Sequence, residues 1–155
     1  MRTGETVMDL IIEIGTIDDV LLVNASTPEF GQRHTQQSIS ARLNAKNSLI
    51  LVAKIKGIAV AYKIGYALSK NAFYSWLGAV APSYRRQGIA TQLRVYQEQW
   101  AVNAGYSCIN VKSMNRYPAM LQMLINSGYQ IHGYQSVRGG NDLENGKILF
   151  IKNLI

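Results

Sequence analysis

The chain of 155 residues carries one cysteine, three prolines and nine carboxylates against 16 lysines and arginines. A single thiol, Cys108, excludes an internal disulfide and fits a reducing compartment, so a cytoplasmic location is expected. No apolar run approaches the ~20 residues needed to cross a bilayer; the one opening at Leu49 is cut by Lys54 and Lys56. The first residues lack a basic segment followed by an apolar stretch, so neither a secretory leader nor a membrane partner is expected. Acids are scarcest in the middle. Between Phe30 and Asn141 the only carboxylate is Glu98, while 13 lysines and arginines fall there. Chemistry that needs a central carboxylate pair, such as glycoside hydrolysis or Mg²⁺-assisted phosphoryl transfer, is therefore not expected. No His/Cys/Asp cluster has ligand spacing, and no metal is expected.

What is present is a globular composition: 48% hydrophobic and 16% charged, with a net charge of +7. No linker, repeat or low-complexity tract appears, so residues 1–155 read as one domain, with 1–8 a poorly ordered extension. The basic centre should draw an anion, either a phosphorylated small molecule or a nucleic acid. Lys54, Lys56 and Lys63 are scattered along strand-like sequence and no helix-turn-helix pattern occurs, which disfavours nucleic acid.

Periodicity supplies the elements. Leu10–Ile14 reads as a strand; Thr16-Ile-Asp-Asp19 is a capped helix start, and a second helix opens at Thr35 and runs to about Ala45. Residues 49–55, 58–68 and 73–81 are rich in Val, Ile, Tyr and Trp and are separated only by Lys56-Gly57 and Ser69-Lys70-Asn71, as in a meander. Ile89, Leu93, Tyr96, Gln97 and Trp100 have helical spacing up to a cap at Gly105. Residues 106–112 form a strand, Pro118 opens a helix that ends at Gly128, and 129–137 with 147–153 form a last hairpin around Gly139-Gly140 and Asn145-Gly146. The order βααβββαβαββ is a mixed α+β domain of about seven strands and four helices, with a mostly antiparallel sheet.

One segment joins strand, basic loop, glycine and helix: Trp76-Leu-Gly-Ala-Val-Ala-Pro-Ser-Tyr-Arg-Arg-Gln-Gly-Ile-Ala-Thr-Gln-Leu93. A helix starting near Gly88 offers free N–H groups and the positive end of its dipole to an anion. Gly88 permits close approach, and Arg85 and Arg86 add charge at the rim. It is neither a Walker loop, since no Gly-Lys-Ser/Thr follows, nor a dinucleotide fingerprint, since one glycine of three is present. Arg85-Arg-Gln-Gly88-Ile-Ala90 resembles the (Gln/Arg)-x-x-Gly-x-(Gly/Ala) acyl-CoA loop of the GCN5-related N-acetyltransferases (GNAT superfamily). Asn115-Arg-Tyr-Pro-Ala-Met-Leu and Ser127-Gly-Tyr129 are similar to that superfamily's later strand–helix–strand, and the resemblance runs from about Asp9 onward.

The resemblance implies a GNAT-type fold and acetyl transfer from acetyl-CoA to a primary amine of a small molecule or peptide, in a ternary complex. In that superfamily the strand before the loop splays from its neighbour and pairs with pantetheine. Carried over residue by residue, Ala79, Val80 and Ala81 would bind pantetheine. Arg85, Arg86, Gln87, Gly88, Ile89, Ala90 and Thr91 would bind pyrophosphate, and Asn115 would lie by the cofactor arm. The usual base, a glutamate of the fourth strand, is replaced by Tyr74, and the usual acid, a tyrosine, falls on Leu124. Glu29 stands in the segment that walls the acceptor pocket and is ranked first as base. Tyr74 and Tyr117 are candidate acids, Ser113 a relay, and His34 a residue of the acceptor side or of the plain surface. A domain that binds acyl-CoA without transfer, or an aminoacyl-tRNA-directed toxin, are the alternatives, and a homodimer stays open.

Overall fold

The computed structural model describes residues 9–28 and 33–155. Among the described residues seven strands form one sheet: β1 (Leu10–Ile14), β2 (Ser48–Ile55), β3 (Ile58–Ala67), β4 (Ala72–Val80), β5 (Cys108–Ser113), β6 (Gln130–Gln135) and β7 (Lys147–Asn153). Their order is β1-β2-β3-β4-β5-β7-β6. The helices are α1 (Ile17–Ala25), α2 (Gln36–Leu43), α3 (Ile89–Asn103), α4 (Pro118–Asn126) and α5 (Asp142–Asn145), with a single 3-10 turn at Pro82–Tyr84. Two compact units result, one of residues up to Tyr66 with Leu77–Gln99, the other of Ala67–Trp76 with Trp100–Ile155.

In the first unit β1 pairs antiparallel with β2, from Leu10↔Ile55 to Ile14↔Leu51, and β2 pairs antiparallel with β3. Lys56 and Gly57 turn the β2–β3 hairpin with φ of 53° and 79°. Both positive values are what a two-residue type I′ turn requires. Thr16 and Thr35 cap α1 and α2 as expected, each in a reciprocal box, with Asp19 and Ser38. Alternation along β3 then sorts its side chains. Tyr62 donates its hydroxyl to Asn24 Oδ1 of α1 at 2.7 Å, and Tyr66 accepts from Arg42 of α2 at 3.1 Å. Ile64 lies on the same face, in a core with Val20, Val23, Ile39 and Leu51, each at most 1% exposed. Burial of each such side chain contributes roughly 1.5–3 kcal/mol. The intervening residue Lys63 is sent to the opposite face, where Arg94 and Glu98 of α3 are its charged neighbours.

In the second unit β4 and β5 run parallel, but only from Ala72↔Cys108 to Ser75↔Val111. β5 pairs along its whole length with β7, and β7 with β6, so β7 inserts between two strands that precede it in the chain. Phe73 packs on Trp100 and Tyr106 with ring centroids 5.2 Å away in both cases, and Leu124 of α4 and Phe150 of β7 are buried. Aromatic contacts of this kind add about 0.5–1.5 kcal/mol beyond burial.

The differences from the sequence expectation are local. The strand expected from Tyr106 begins at Cys108, because the Tyr106 amide donates back to the Ala101 carbonyl at 3.0 Å and its ring joins the Phe73 cluster. The second helix ends at Leu43 rather than near Ala45, which has φ of 60°. The last hairpin contains the extra helical turn α5, so Asn145 lies inside a helix. Asn141 caps that turn by accepting from the Glu144 amide, and Asp142 and Glu144 favour its positive end.

Candidate active site

The loop that follows β4 is built by three backbone devices. The Ala81 amide donates to the Val60 carbonyl at 2.8 Å, which ends the strand against β3. The Tyr84 amide donates to the Ala81 carbonyl at 2.9 Å and closes the 3-10 turn. Arg86 and Gly88 then adopt φ of 63° and 82°. The Gly88 carbonyl accepts the Gln92 amide at 3.1 Å, so α3 starts directly after it. The amides of Ile89, Ala90 and Thr91 have no acceptor within the helix, since the first turn never does. A Cβ built on Gly88 meets nothing within 4 Å. The approach to these amides is open.

Each residue assigned to this loop can now be placed. Arg86, Gln87, Gly88, Ala90 and Thr91 are exposed, and Arg86 presents its cation to solvent. Ile89 is 1% exposed, so its side chain belongs to the core and only its amide faces outward. Arg85 is exposed, yet its Nε donates to the Val80 carbonyl at 3.0 Å, which ties the loop back to the strand that precedes it. Ala81 is buried and its amide is engaged by Val60, and strand alternation sends the Val80 amide to the other edge of β4. Of Ala79, Val80 and Ala81, it is Val80 whose N–H faces away from β3.

The second unit holds Tyr74, Ser113, Asn115, Tyr117 and Leu124. Tyr74 is half-buried, with the Lys112 ammonium 5.8 Å from its ring centroid. Tyr117 is 44% exposed, stands at the start of α4, and accepts the Met120 and Leu121 amides on its carbonyl. Asn115 does not extend freely from the end of β5: its Nδ2 donates to the Leu143 carbonyl at 2.9 Å, and Arg116 donates to Asn145. Both therefore fasten the β5–α4 loop to α5. Ser113 and Leu124 are buried. Glu29 lies outside the described residues. His34 is half-buried, and its pKa is lowered by burial first and then by Arg33 and Arg42, so the imidazole is neutral at pH 7. Among the described residues no group of three His, Cys, Asp or Glu side chains could hold a metal ion. No helix among them is long and apolar enough to cross a membrane.

Two features escaped sequence reasoning. Lys112 shares the Tyr74 face of the sheet, which only the β4–β5 register reveals. The other is an ionic cluster under α3. Arg94 Nη1 donates to Glu98 Oε2 at 3.0 Å with both side chains about 15% exposed, and Lys63 faces the pair. Burial, and then the Arg94 cation, push Lys63 down to about 8, against the opposing pull of Glu98. The unfolded chain therefore binds more protons than the folded one between pH 8 and the ordinary lysine value of 10.5, and stability rises with pH across that window. Lys63→Met removes this dependence. The variant should be more stable than the parent by about 1–3 kcal/mol at pH 7, with the difference shrinking towards pH 10, as measured by urea unfolding at both pH values.

Comparison with known proteins brings these pieces under one description. Residues 20–121, about two thirds of the chain, match the model of the acetyltransferase (GNAT) family. No curated protein matches the sequence. Among solved structures, a GNAT family acetyltransferase from Elizabethkingia anophelis with acetyl-CoA bound superposes with a TM-score of 0.75 at 18% identity, over 94% of this chain and 98% of that one. The ribosomal-protein-S18-alanine N-acetyltransferase from Escherichia coli gives 0.78 at 14% identity, over 94% of each chain. A Bacillus subtilis acetyltransferase in complex with CoA gives 0.74 at 14% identity, over 95% and 100%. At such identities the likeness is one of fold, and it extends over nearly the whole chain. Together with the family match, it settles that the chain belongs to the GNAT acetyltransferase family.

Proposed function

We propose that the protein transfers the acetyl group of acetyl-CoA to a primary amine of a small molecule or peptide, with both substrates bound at once. The observation that carries this reading is the open helix start after Gly88: first-turn amides with no acceptor inside the helix, an exposed Arg86 and room for a phosphate where any other residue would put a Cβ. Val80, on the edge of β4 away from β3, offers its amide to the pantetheine arm. The parallel ladder to β5 ends at Ser75, so the rest of β4 has that edge available.

Acetyl-CoA supplies an activated thioester when bound. The residues of this chain hold it, orient the amine and manage one proton. The amine nitrogen forms a bond to the acyl carbon as the carbon–sulfur bond breaks, and the proton lost from nitrogen ends on solvent or on the departing thiol. Glu29 is ranked first as the group that takes that proton, directly or through water, and neutral His34 is the described base nearest to it in sequence. Tyr74 and Tyr117 are the hydroxyls offered to the thiolate. Since the fourth-strand glutamate is replaced, positioning carries more of the rate than proton transfer.

Thiol release measured across a chemically broad amine panel tests the reading. The expected result is release that depends on both acetyl-CoA and an amine, with Glu29→Gln lowering kcat about 100-fold and Tyr117→Phe by less. Unchanged turnover in Glu29→Gln would remove Glu29 from the mechanism. Acetyl-CoA binding with no release from any amine would point instead to a binding domain without transfer.

A further inference from the structure

By strand alternation the charged side chains on one face of the second unit are Lys112 and Lys147, both positive. Pairing of Tyr74 with Asn110 places the two side chains on one face, and strand alternation adds Trp76 and Lys112 to it. The antiparallel pairs Asn110↔Ile151 and Lys112↔Leu149 extend this face across β7 with apolar residues. Phe73, one residue before Tyr74, points the other way into the cluster with Trp100 and Tyr106. Lys112 is exposed and lies one step beyond the last parallel pair, Ser75↔Val111, where β4 and β5 cease to pair. Its ammonium stands over Tyr74, the residue at the strand position of the usual base.

Among the described residues of this unit the carboxylates are Asp142 and Glu144, both on α5 and neither on this strand face, and Asp142 already accepts the Val137 amide at 2.8 Å. On this strand face a protonated amine therefore meets cations and, among the described residues of the unit, no acid. An acceptor with its own anionic group reverses that interaction. Building on the transferase reading above, we infer that Lys112 selects acceptors bearing a carboxylate close to the reacting amine, as in a free amino acid, and binds that carboxylate beside Tyr74. The same cation disfavours the ammonium form of the bound amine and so favours the neutral nitrogen that reacts. Lys112 is then a specificity residue and not a proton carrier.

The test compares amino acids with their carboxamides and their decarboxylated amines, in the parent protein, Lys112→Met and Lys112→Arg, by thiol release. The parent should prefer the carboxylates. In Lys112→Met the ratio of kcat/KM between carboxylate and carboxamide should fall at least tenfold, with the loss in KM, and Lys112→Arg should restore most of it. Using ratios cancels differences in amine basicity and in the amount of folded protein. A parent with no such preference, or a preference unmoved in Lys112→Met, would overturn the assignment of Lys112 while leaving the transferase reading intact. Acetyl-CoA binding by calorimetry with no release from any amine would take down both.

Discussion

Gly88→Asp should weaken CoA binding by roughly 100- to 1,000-fold. The expectation follows from where the glycine sits. Its carbonyl accepts the Gln92 amide, so its own Cα stands beside the first-turn amides of α3, which have no acceptor within the helix. An aspartate there would place a carboxylate within about 4 Å of a bound phosphate; two such charges repel by about 4 kcal/mol at an effective dielectric of 20. Partial exposure reduces this, and about 3 kcal/mol corresponds to a factor of roughly 100. Gly88→Ala is the control. Glycine holds φ of 82°, so alanine brings backbone strain of about 1–2 kcal/mol, but no charge and no contact within 4 Å. Calorimetric titration with CoA should rank the parent first, alanine next and aspartate far behind. Equal affinity in all three proteins would mean that the phosphates bind elsewhere.

The second large effect concerns stability. Glu98 is the lone carboxylate of the central chain, and it pairs with Arg94 one turn earlier on α3. It neutralises Arg94 in a pair about 15% exposed and faces the half-buried Lys63. Arg94 Nε and both polar atoms of the Gln97 amide are buried without a hydrogen-bond partner among the described residues, so Glu98 supplies the hydrogen bond that Arg94 makes here. Glu98→Gln leaves two cations facing each other and should destabilise the fold by about 2–4 kcal/mol, lowering Tm by roughly 6–12 °C at this chain length. Combining it with Lys63→Met should recover a measurable part of that loss, because the two residues are coupled. A Tm within 1–2 °C of the parent for Glu98→Gln would show that solvent already screens the cluster.

Elements of this fold are legible in the sequence to the extent that they are local. Thr16 and Thr35 announce their helices through reciprocal caps, Lys56-Gly57 marks a tight hairpin, and Pro118 and Gly128 bracket α4. The anion-ready loop is equally local, because Gly88 and the helix after it are neighbours in the chain. What could not be read depends on pairing at a distance. Nothing near Lys147 announces that β7 inserts beside β5, nor does Ala72 announce a parallel partner at Cys108. The four-residue α5 is too short to show a helical period and is held largely by its surroundings, with the Tyr134 hydroxyl donating to the Asp142 carbonyl at 2.6 Å. Lys63 looks like one of several scattered cations until alternation turns it towards Glu98. Asn115 shows what a motif leaves unsaid: its Nδ2 donates to the Leu143 carbonyl of α5, a contact across 28 residues that nothing near Asn115 announces.

Cys108 gives the molecule a built-in optical reporter. It is the chain's sole thiol, and its Sγ lies 3.8 Å from Asn110 Oδ1, on the strand face that also bears Tyr74 and Lys112. A maleimide fluorophore would therefore attach at one defined point, without mutagenesis, next to the surface proposed for the acceptor. Its emission should respond to amines and not to CoA fragments that reach only the Gly88 loop. The same thiol imposes a correction on every colorimetric assay of CoA release, since a disulfide reagent will register up to one equivalent from the protein itself. Blocking Cys108 beforehand removes that background, and the rate of blocking with and without an amine becomes a footprint of the face.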